Sequence, residues 1–479
     1  MSGPESLAET MTEPAGKPTL NRVLSPAAVV LLTFSALSPV MSVYLAGDSL
    51  LHIAGTGAAL AVIAGGLLIA FLALLWAELG AAFPSAGGLY PSLVGVLGPA
   101  WTFPMILLSM VISIAATAFT ALGLGQYLRV LFPGLPLVPV VFAGLAAAAL
   151  VSILNVRTSA VVTGLFLAVE FAALTLLTWV AASHPVRPLG EVLAHPVMLS
   201  HAALIPTSPA VLGLGLASGV WICGGANYAL YFAEEMRDPH KVGRVVARVG
   251  FLAAVLAATP IVLTVLSARD LKAVLGSETP IAAYLAATGG PAIAALVSAG
   301  VVAALFNCLI ATVMIFARFI YATGRDGIWP AAVNGVFSQL HQRLRTPWAA
   351  TLILSVLAAA VSLMGDRAIL ILMSGDATTY FLISIAIWIG RRSGVTGRWF
   401  RAPLHPVIPA VGFVLGPFIV SMDWLDPEAG RPSTVLLGGL YVVGLVYYFL
   451  RLRTAGKAWK IGGPKAEVSA ALGAAEAVR

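Results

Sequence analysis

The chain has 479 residues, of which 59% are hydrophobic and only 10% charged, and its mean hydropathy is +0.97. Soluble proteins carry about 25% charged residues, so this composition excludes a soluble globular domain and points to an all-α polytopic membrane protein. The net charge of +7 is spread over the ends of apolar runs, which argues against nucleic acid as a partner, and the two cysteines, Cys223 and Cys308, lie inside apolar segments and make no disulfide framework.

Residues 1–25 are polar, hold Glu5, Glu9, Glu13 and Lys17, and have no apolar core, so they read as a cytoplasmic tail and not as a cleavable signal. Beyond them, apolar runs of about 20 residues bounded by Pro, Gly and charge predict twelve transmembrane helices. They lie near 26–50, 57–80, 98–127, 135–154, 158–182, 208–233, 244–267, 289–322, 347–365, 368–391, 403–422 and 433–451, with a second cytoplasmic tail at 452–479. Basic residues set the orientation. With the N-terminus in the cytoplasm, all of the 27 Lys and Arg except Arg129, Arg187, Arg269, Lys272, Arg367 and Arg431 fall on that side, which puts both termini there.

The first span is interrupted near its centre at Ser38-Pro39-Val40-Met41-Ser42, where Pro39 lacks an N–H and disfavours helix at Ser38. The sixth is interrupted at Trp221-Ile222-Cys223-Gly224-Gly225-Ala226-Asn227, where a glycine pair weakens the helix interior. Broken backbone at membrane depth is tolerated where it is buried in protein or lines a cavity. Two such segments, five spans apart and opposite in direction, are the pattern of an inverted-repeat transporter with its site at the midplane. That pattern divides the chain into a first repeat (26–182), an external loop (183–207), a second repeat (208–391) and two added helices (392–451). Spans eleven and twelve carry no site signal; contacts in a homodimer, or packing alone, would account for them.

Ionisable groups within spans are rare and mark function. Away from span ends two acids stand out, Glu170 in the fifth span and Asp376 in the tenth. Glu170 has no basic residue nearby in sequence, and an apolar setting favours the neutral carboxyl, so it suits a group that takes up and releases a proton. Asp376, beside Gly375 and the hydroxyls of Ser374, Thr378 and Thr379, suits either an ammonium partner or a cap on a broken helix. Glu234 and Glu235 end the sixth span, where the helix dipole disfavours anions, and Arg325, Arg318 or Arg22 could pair with them. Such pairs would either close an inner gate in one state or form a permanent ion network. All seven histidines (52, 184, 195, 201, 240, 341 and 405) lie at span ends or in loops, so no enzyme, metal site or cofactor is expected.

Three stretches together resemble a known family. They are Glu78-Leu79-Gly80-Ala81-Ala82-Phe83-Pro84-Ser85-Ala86-Gly87-Gly88-Leu89-Tyr90, Ala233-Glu234-Glu235-Met236-Arg237-Asp238-Pro239, and Arg318-Phe319-Ile320-Tyr321-Ala322-Thr323-Gly324-Arg325-Asp326-Gly327. In that order and spacing they resemble signatures of the amino acid–polyamine–organocation permeases, over about residues 25–450. The resemblance implies a LeuT-type fold, a 5+5 inverted repeat plus two helices. It implies a secondary transporter of an amino acid or related organic amine, coupled to a proton or sodium ion and working by alternating access about the two breaks.

It also implies roles. The fifth span would pack beside the first break, where some members place a lysine in lieu of sodium; Glu170 departs from them in sign. Trp221 matches an aromatic that covers the substrate, and carbonyls of Trp221, Ile222 and Cys223 would face an ammonium. Asn227 stands where some members for basic substrates carry glutamate. The tenth span would line the cavity, bringing Asp376 to the substrate. Tyr90, Glu234, Glu235 and Arg325 would belong to the gate. Members that clamp an α-carboxylate use glycine-rich donors in the first break, whereas this chain has Ser38 to Ser42 with one donor removed. Ser-Pro there is similar to some amine and putrescine importers, which keeps a carboxylate-free amine open as substrate. A channel would need a polar stripe that no span shows, while a non-transporting amino acid sensor remains an alternative. Short loops without a large external domain make a bacterial inner membrane the default location.

Overall fold

The computed structural model describes residue 20 and residues 22–453, with Pro133, Asn155 and residues 374–376 excepted. Among these, eight helical segments are long and apolar enough to cross a membrane, and the first, Pro26–Ala82, takes in both of the first two expected spans. Three shorter apolar helices, Leu137–Ile153, Trp348–Ser362 and Val407–Asp423, fall in the expected fourth, ninth and eleventh spans. The chain is a multi-span helical membrane protein.

Only the helices that shape the site need labels. The first span is split into α1 (Pro26–Leu37) and α2 (39–54), and α3 (Ala58–Ala82) runs back beside them. Then come α4 (Tyr90–Leu97), α5 (Pro99–Leu131) and α6 (Val156–Ala182), the last containing Glu170. The sixth span begins as α7 (Pro209–Ile222), breaks, and continues as a 3₁₀ segment, Ala226–Glu235. The short helix α8 (Pro280–Gly289) precedes the long α9 (Pro291–Arg325). The described residues of the tenth span form α10 (Asp366–Met373) and α11 (Ala377–Arg392), and α12 (Val407–Asp423) and α13 (Gly430–Tyr447) complete the set.

Small residues bring α3 and α7 together. A Cβ on Gly65 would lie 2.4 Å from the Gly219 carbonyl carbon, and one on Gly219 would lie 2.3 Å from the Ala61 carbonyl oxygen. With lipid on the outside there is no hydrophobic gain from pairing helices, so close backbone approach through glycine is what holds such crossings. Trp76, Phe103, Phe232 and Phe319 fill the interior around α3 and α9.

The segment before α1 lies against the end of the sixth span: Leu24 N–H donates to Glu235 O at 2.8 Å, and Arg237 N–H donates to Leu24 O at 3.0 Å. Tyr447, near the end of α13, donates its hydroxyl to Ile328 O just beyond α9. Both ends of the described chain therefore lie on one face. The region 183–207 departs from an all-helical expectation, holding a short helix, Leu189–Ala194, and an antiparallel hairpin of Val197–Ser200 with Ala203–Pro206.

Candidate functional site

At the first break only Ser38 leaves the helix, at φ 39° and ψ 95°. Pro39 causes this, because its ring excludes helical conformation at the preceding residue. The new helix start is then satisfied from within the protein. Met41 N–H donates to Ser38 Oγ at 3.1 Å and Ser42 N–H donates to Ser38 O at 3.0 Å. Val40 N–H donates to Glu170 Oε1 at 3.1 Å, and Ser38 Oγ donates to the same oxygen at 2.6 Å. A carboxyl of the protein's own thus sits where a helix N-terminus attracts an anion.

Glu170 is fully buried, and its second oxygen, Oε2, has no hydrogen-bond partner. Asn307 of α9, also fully buried, approaches Glu170 without reaching hydrogen-bond geometry, and neither of its amide atoms has a partner. Buried groups of this kind are nearly always paired. Here three unpaired atoms lie on two neighbouring side chains, Glu170 and Asn307.

The sixth break is two residues of turn and one of left-handed backbone. Gly225 has φ 103°, and a Cβ there would lie 2.7 Å from Leu37 Cβ, the last residue of α1. The two breaks therefore pack against each other. The Trp221 carbonyl is taken up by Gly224 N–H at 3.0 Å, and Cys223 Sγ donates to Val62 O at 3.8 Å. Below the break the chain continues as 3₁₀ helix and not as the α-helix its apolar length suggests.

Beside the breaks lies a cavity of about 360 Å³, within the range of small-molecule sites. Its wall is formed by Leu45, Ala46, Ser49 and Leu50 of α2, by Phe119, Gly123 and Gln126 of α5, and by Ala217, Ser218, Val220, Trp221 and Ile222 of α7. Leu370, Met373, Ala377 and Tyr380 of the tenth span and Ile419 and Asp423 of α12 close the ring. Trp221 is 39% exposed and meets Phe119 edge-on, with ring centroids 6.4 Å apart. In α5 and α12 the lining residues lie in the halves remote from the face that carries Leu24, and in α7 they lie next to the break.

Of the expected substrate residues, Trp221 and Ile222 line this cavity. Ser38, Pro39, Val40, Ser42 and Cys223 are buried and form no part of its wall, while Met41, Gly224, Gly225 and Asn227 are half-buried and likewise outside it. Asp376 lies outside the described residues. Sequence reasoning passed over Phe119, Gln126, Ser218, Tyr380 and Asp423. The first four sit in unremarkable apolar context, and Asp423 falls at a span end in a helix without other site signals.

On the opposite side of the breaks, the residues expected at a gate fall into two separate clusters. Arg318 Nε and Nη2 both bond the Glu235 carboxylate, the second at 3.3 Å, while Nη1 bonds Met314 O and the guanidinium stacks 5.0 Å over Phe232. That pair is almost wholly buried. Arg325 Nη1 bonds both Glu234 oxygens at 2.9 and 2.8 Å, and its Nε bonds Asp326 Oδ1 at 3.0 Å. Asp326 Oδ2 in turn accepts from Tyr90 OH at 2.6 Å, and Ser85 Oγ donates to Glu234 at 2.9 Å. Gly88, at φ 68°, lets this loop turn under Tyr231, whose ring would meet a Cβ at 2.5 Å. A third anchor joins Glu78 to Arg391 Nε at 2.8 Å and to Ala402 N–H at 2.8 Å.

Residues 24–443 match the family described as amino acid permease. The branched-chain amino acid permease BcaP of Lactococcus lactis subsp. cremoris (strain MG1363) is 24% identical over 430 residues, which cover 85% of this chain and 89% of that protein. The methylthioribose transporter of Bacillus subtilis (strain 168) is 24% identical over 438 residues, 84% of this chain and 88% of its own. The serine/threonine exchanger SteT of the same bacterium is 26% identical over 410 residues, 82% of this chain and 88% of its own.

Proposed function

Since the chain belongs to the amino acid permease family, a family of transporters and not of enzymes, we propose that it is a secondary transporter of a small organic amine, an amino acid or a carboxylate-free relative. It works by alternating access about the breaks at 38–42 and 222–227. One observation carries this reading. A cavity of about 360 Å³ opens on one side of the paired breaks, and the other side is sealed by the Glu235–Arg318 and Glu234–Arg325–Asp326–Tyr90 clusters. That is the arrangement of one end state of a carrier, with both termini on the sealed, cytoplasmic side of a cell membrane. The repeats 26–182 and 208–391 move against each other, and residues 392–451 flank them.

Coupling is to a proton at Glu170. A proton on Oε2 leaves Oε1 free to keep its bonds from Ser38 and Val40, and Asn307 stands ready to accept from the new hydroxyl. Losing that proton places a charge against the helix start, which steadies α2 in a different balance. The carboxylate-free version of the substrate is favoured by the first break, where Glu170 and Ser38 take up the donors. Val40, Met41 and Ser42, the N–H groups that could clamp an α-carboxylate, are already satisfied within the protein.

Uptake into proteoliposomes tests the reading. Saturable accumulation of an amine or amino acid driven by an inward proton gradient supports it. Flux without saturation would mean a channel, and binding without flux a sensor.

A further inference from the structure

The cavity wall has one charged side chain among the described residues, Asp423 at the end of α12; the other polar side chains, Ser49, Gln126, Ser218, Trp221 and Tyr380, are neutral. Among the described residues no Lys, Arg or His lines it. Asp423 is half-buried and makes no side-chain hydrogen bond or ion pair among the described residues. Its neighbours are all committed elsewhere. Asp426 caps the turn that follows, accepting from Glu428, Ala429 and Gly430 N–H at 2.9, 3.2 and 3.0 Å. Arg431, the nearest cation in sequence, spends Nε on the Trp424 carbonyl at 2.8 Å.

The backbone that carries Asp423 is held firmly. Its carbonyl accepts from Asp426 N–H at 3.0 Å, and Gly430 passes so close that a Cβ there would lie 2.0 Å from that carbonyl oxygen. On the other flank Met422 packs onto α7 at Gly213, where a Cβ would meet its sulfur at 2.6 Å. Among the described residues this carboxylate, held at a fixed point on a wall that is otherwise uncharged and partly aromatic, has no cationic side chain paired with it. Partial removal from water strengthens its attraction for a cation, and Trp221 and Tyr380 offer ring faces for the alkyl or charged part of the same ligand.

We propose that Asp423 is the counter-charge that selects cationic amines in this cavity, a specificity residue supplied by the eleventh span and not by the broken helices. The proposal rests on the amine-transporter reading above and deepens it. An aliphatic amine enters with its ammonium bonded to Asp423 and its chain against Trp221, Phe119 and Met373. An uncharged isostere lacks the ion pair and binds by its chain alone.

Thermal-shift titrations of the purified full chain test this, with 3-methylbutylamine, 1,4-diaminobutane, leucine and the uncharged 3-methylbutanol as probes. A ligand that binds only the folded protein raises its melting temperature in proportion to its affinity. The proposal expects the amines to bind at least tenfold more tightly than the alcohol. Asp423→Asn should remove that advantage while leaving the alcohol's affinity unchanged, and Asp423→Glu should restore at least half of it on a logarithmic scale. Equal losses for amine and alcohol, or an unchanged amine affinity in Asp423→Asn, would overturn the role of Asp423 and leave the transporter reading standing. If the wild type binds neither amine nor leucine, and transports neither, both readings fall together. Sodium chloride titrated alone is the control for a bare metal cation, and a shift as large as that of the amines overturns the amine assignment.

Discussion

Glu170 reaches from the fifth span to the Val40 amide, 130 residues away in sequence, and closes the helix start that Pro39 opens. Two roles meet in that carboxyl, a structural one through Oε1 and a chemical one through the unpartnered Oε2. Glu170→Gln separates them. The glutamine Oε1 keeps accepting from Ser38 and Val40, so the melting temperature should stay close to that of the wild type. Accumulation driven by a proton gradient should be lost and its pH dependence flattened, with substrate exchange largely intact. Glu170→Ala removes both roles, leaves a buried hydroxyl and a buried N–H without partners at about 1–3 kcal/mol each, and should lower the melting temperature clearly. A pH profile unchanged in Glu170→Gln would remove the coupling role.

Gly225 and Leu37 show how closely the two breaks depend on each other. At φ 103° an added Cβ is strained in its own backbone and would also lie 2.7 Å from Leu37 Cβ. Gly225→Ala should therefore push the breaks apart and abolish uptake, at a stability cost of about 1–3 kcal/mol. Gly224→Ala has no positive φ and meets only the Trp221 carbonyl at 3.1 Å, so it should be the milder change. Uptake rates and melting temperatures of the two variants, measured side by side, check the order.

Two of the ion pairs on the side of the breaks away from the cavity differ in burial. Glu235–Arg318 is buried, bidentate and tied to Met314, so removing Glu235 strands a guanidinium in the interior at about 3–5 kcal/mol. Glu235→Ala should express poorly or melt early. Arg325 and Glu234 are 25% and 11% exposed, which suits a contact that opens and closes. Arg325→Ala should leave the fold intact and shift the protein toward opening on this face. Ser218→Cys, in the cavity wall, reports that shift, because native Cys223 and Cys308 are buried. Its labelling by a membrane-impermeant thiol reagent should slow about tenfold when Arg325→Ala is added, the change that about 1.4 kcal/mol of lost sealing produces. Unchanged labelling would make the cluster a permanent brace.

Much of this architecture was legible because its causes are local. Apolar length marks the spans, a proline dictates the kink at Ser38, and a glycine pair permits the left-handed step at Gly225. The permease resemblance of the three motifs was equally local and is borne out by the family match over 24–443. What stayed hidden depends on contacts far apart in sequence. The sequence showed one donor removed by Pro39 at the first break, but nothing in the stretch 38–42 shows that Ser38 and Glu170 satisfy the helix start. The separate pairing of Glu235 with Arg318 and of Glu234 with Arg325 required knowing which face of the sixth span each acid occupies, and a 3₁₀ turn sets that. The hairpin at 197–206 turns through His201 and Ala202 at φ 46° and 61°, conformations usually signalled by Gly or Asn, so no turn residue announced it.

Asp48 is the other acid that position in sequence disguised, because it falls near the end of the first expected span. It is buried, and its Oδ1 accepts from Ile281 N–H at 2.8 Å, at the start of α8. Thr279, the residue placed to cap that helix, makes no side-chain bond, and Pro280 has no N–H to satisfy, so Asp48 acts as a cap supplied from 233 residues away. The bond fastens α2, whose Leu45, Ala46, Ser49 and Leu50 line the cavity, to the segment that leads into α9. Asp48→Ala strands the Ile281 N–H among apolar neighbours and should cost about 1–2 kcal/mol, the usual loss for a cap. Asp48→Asn keeps an acceptor of the same shape and should recover most of that stability. Because the latch holds the cavity side, Asp48→Ala should also speed hydrogen exchange in residues 280–289 relative to residues 209–222. Equal exchange in both stretches would mean that the two segments are held by packing and that the carboxylate only fills space.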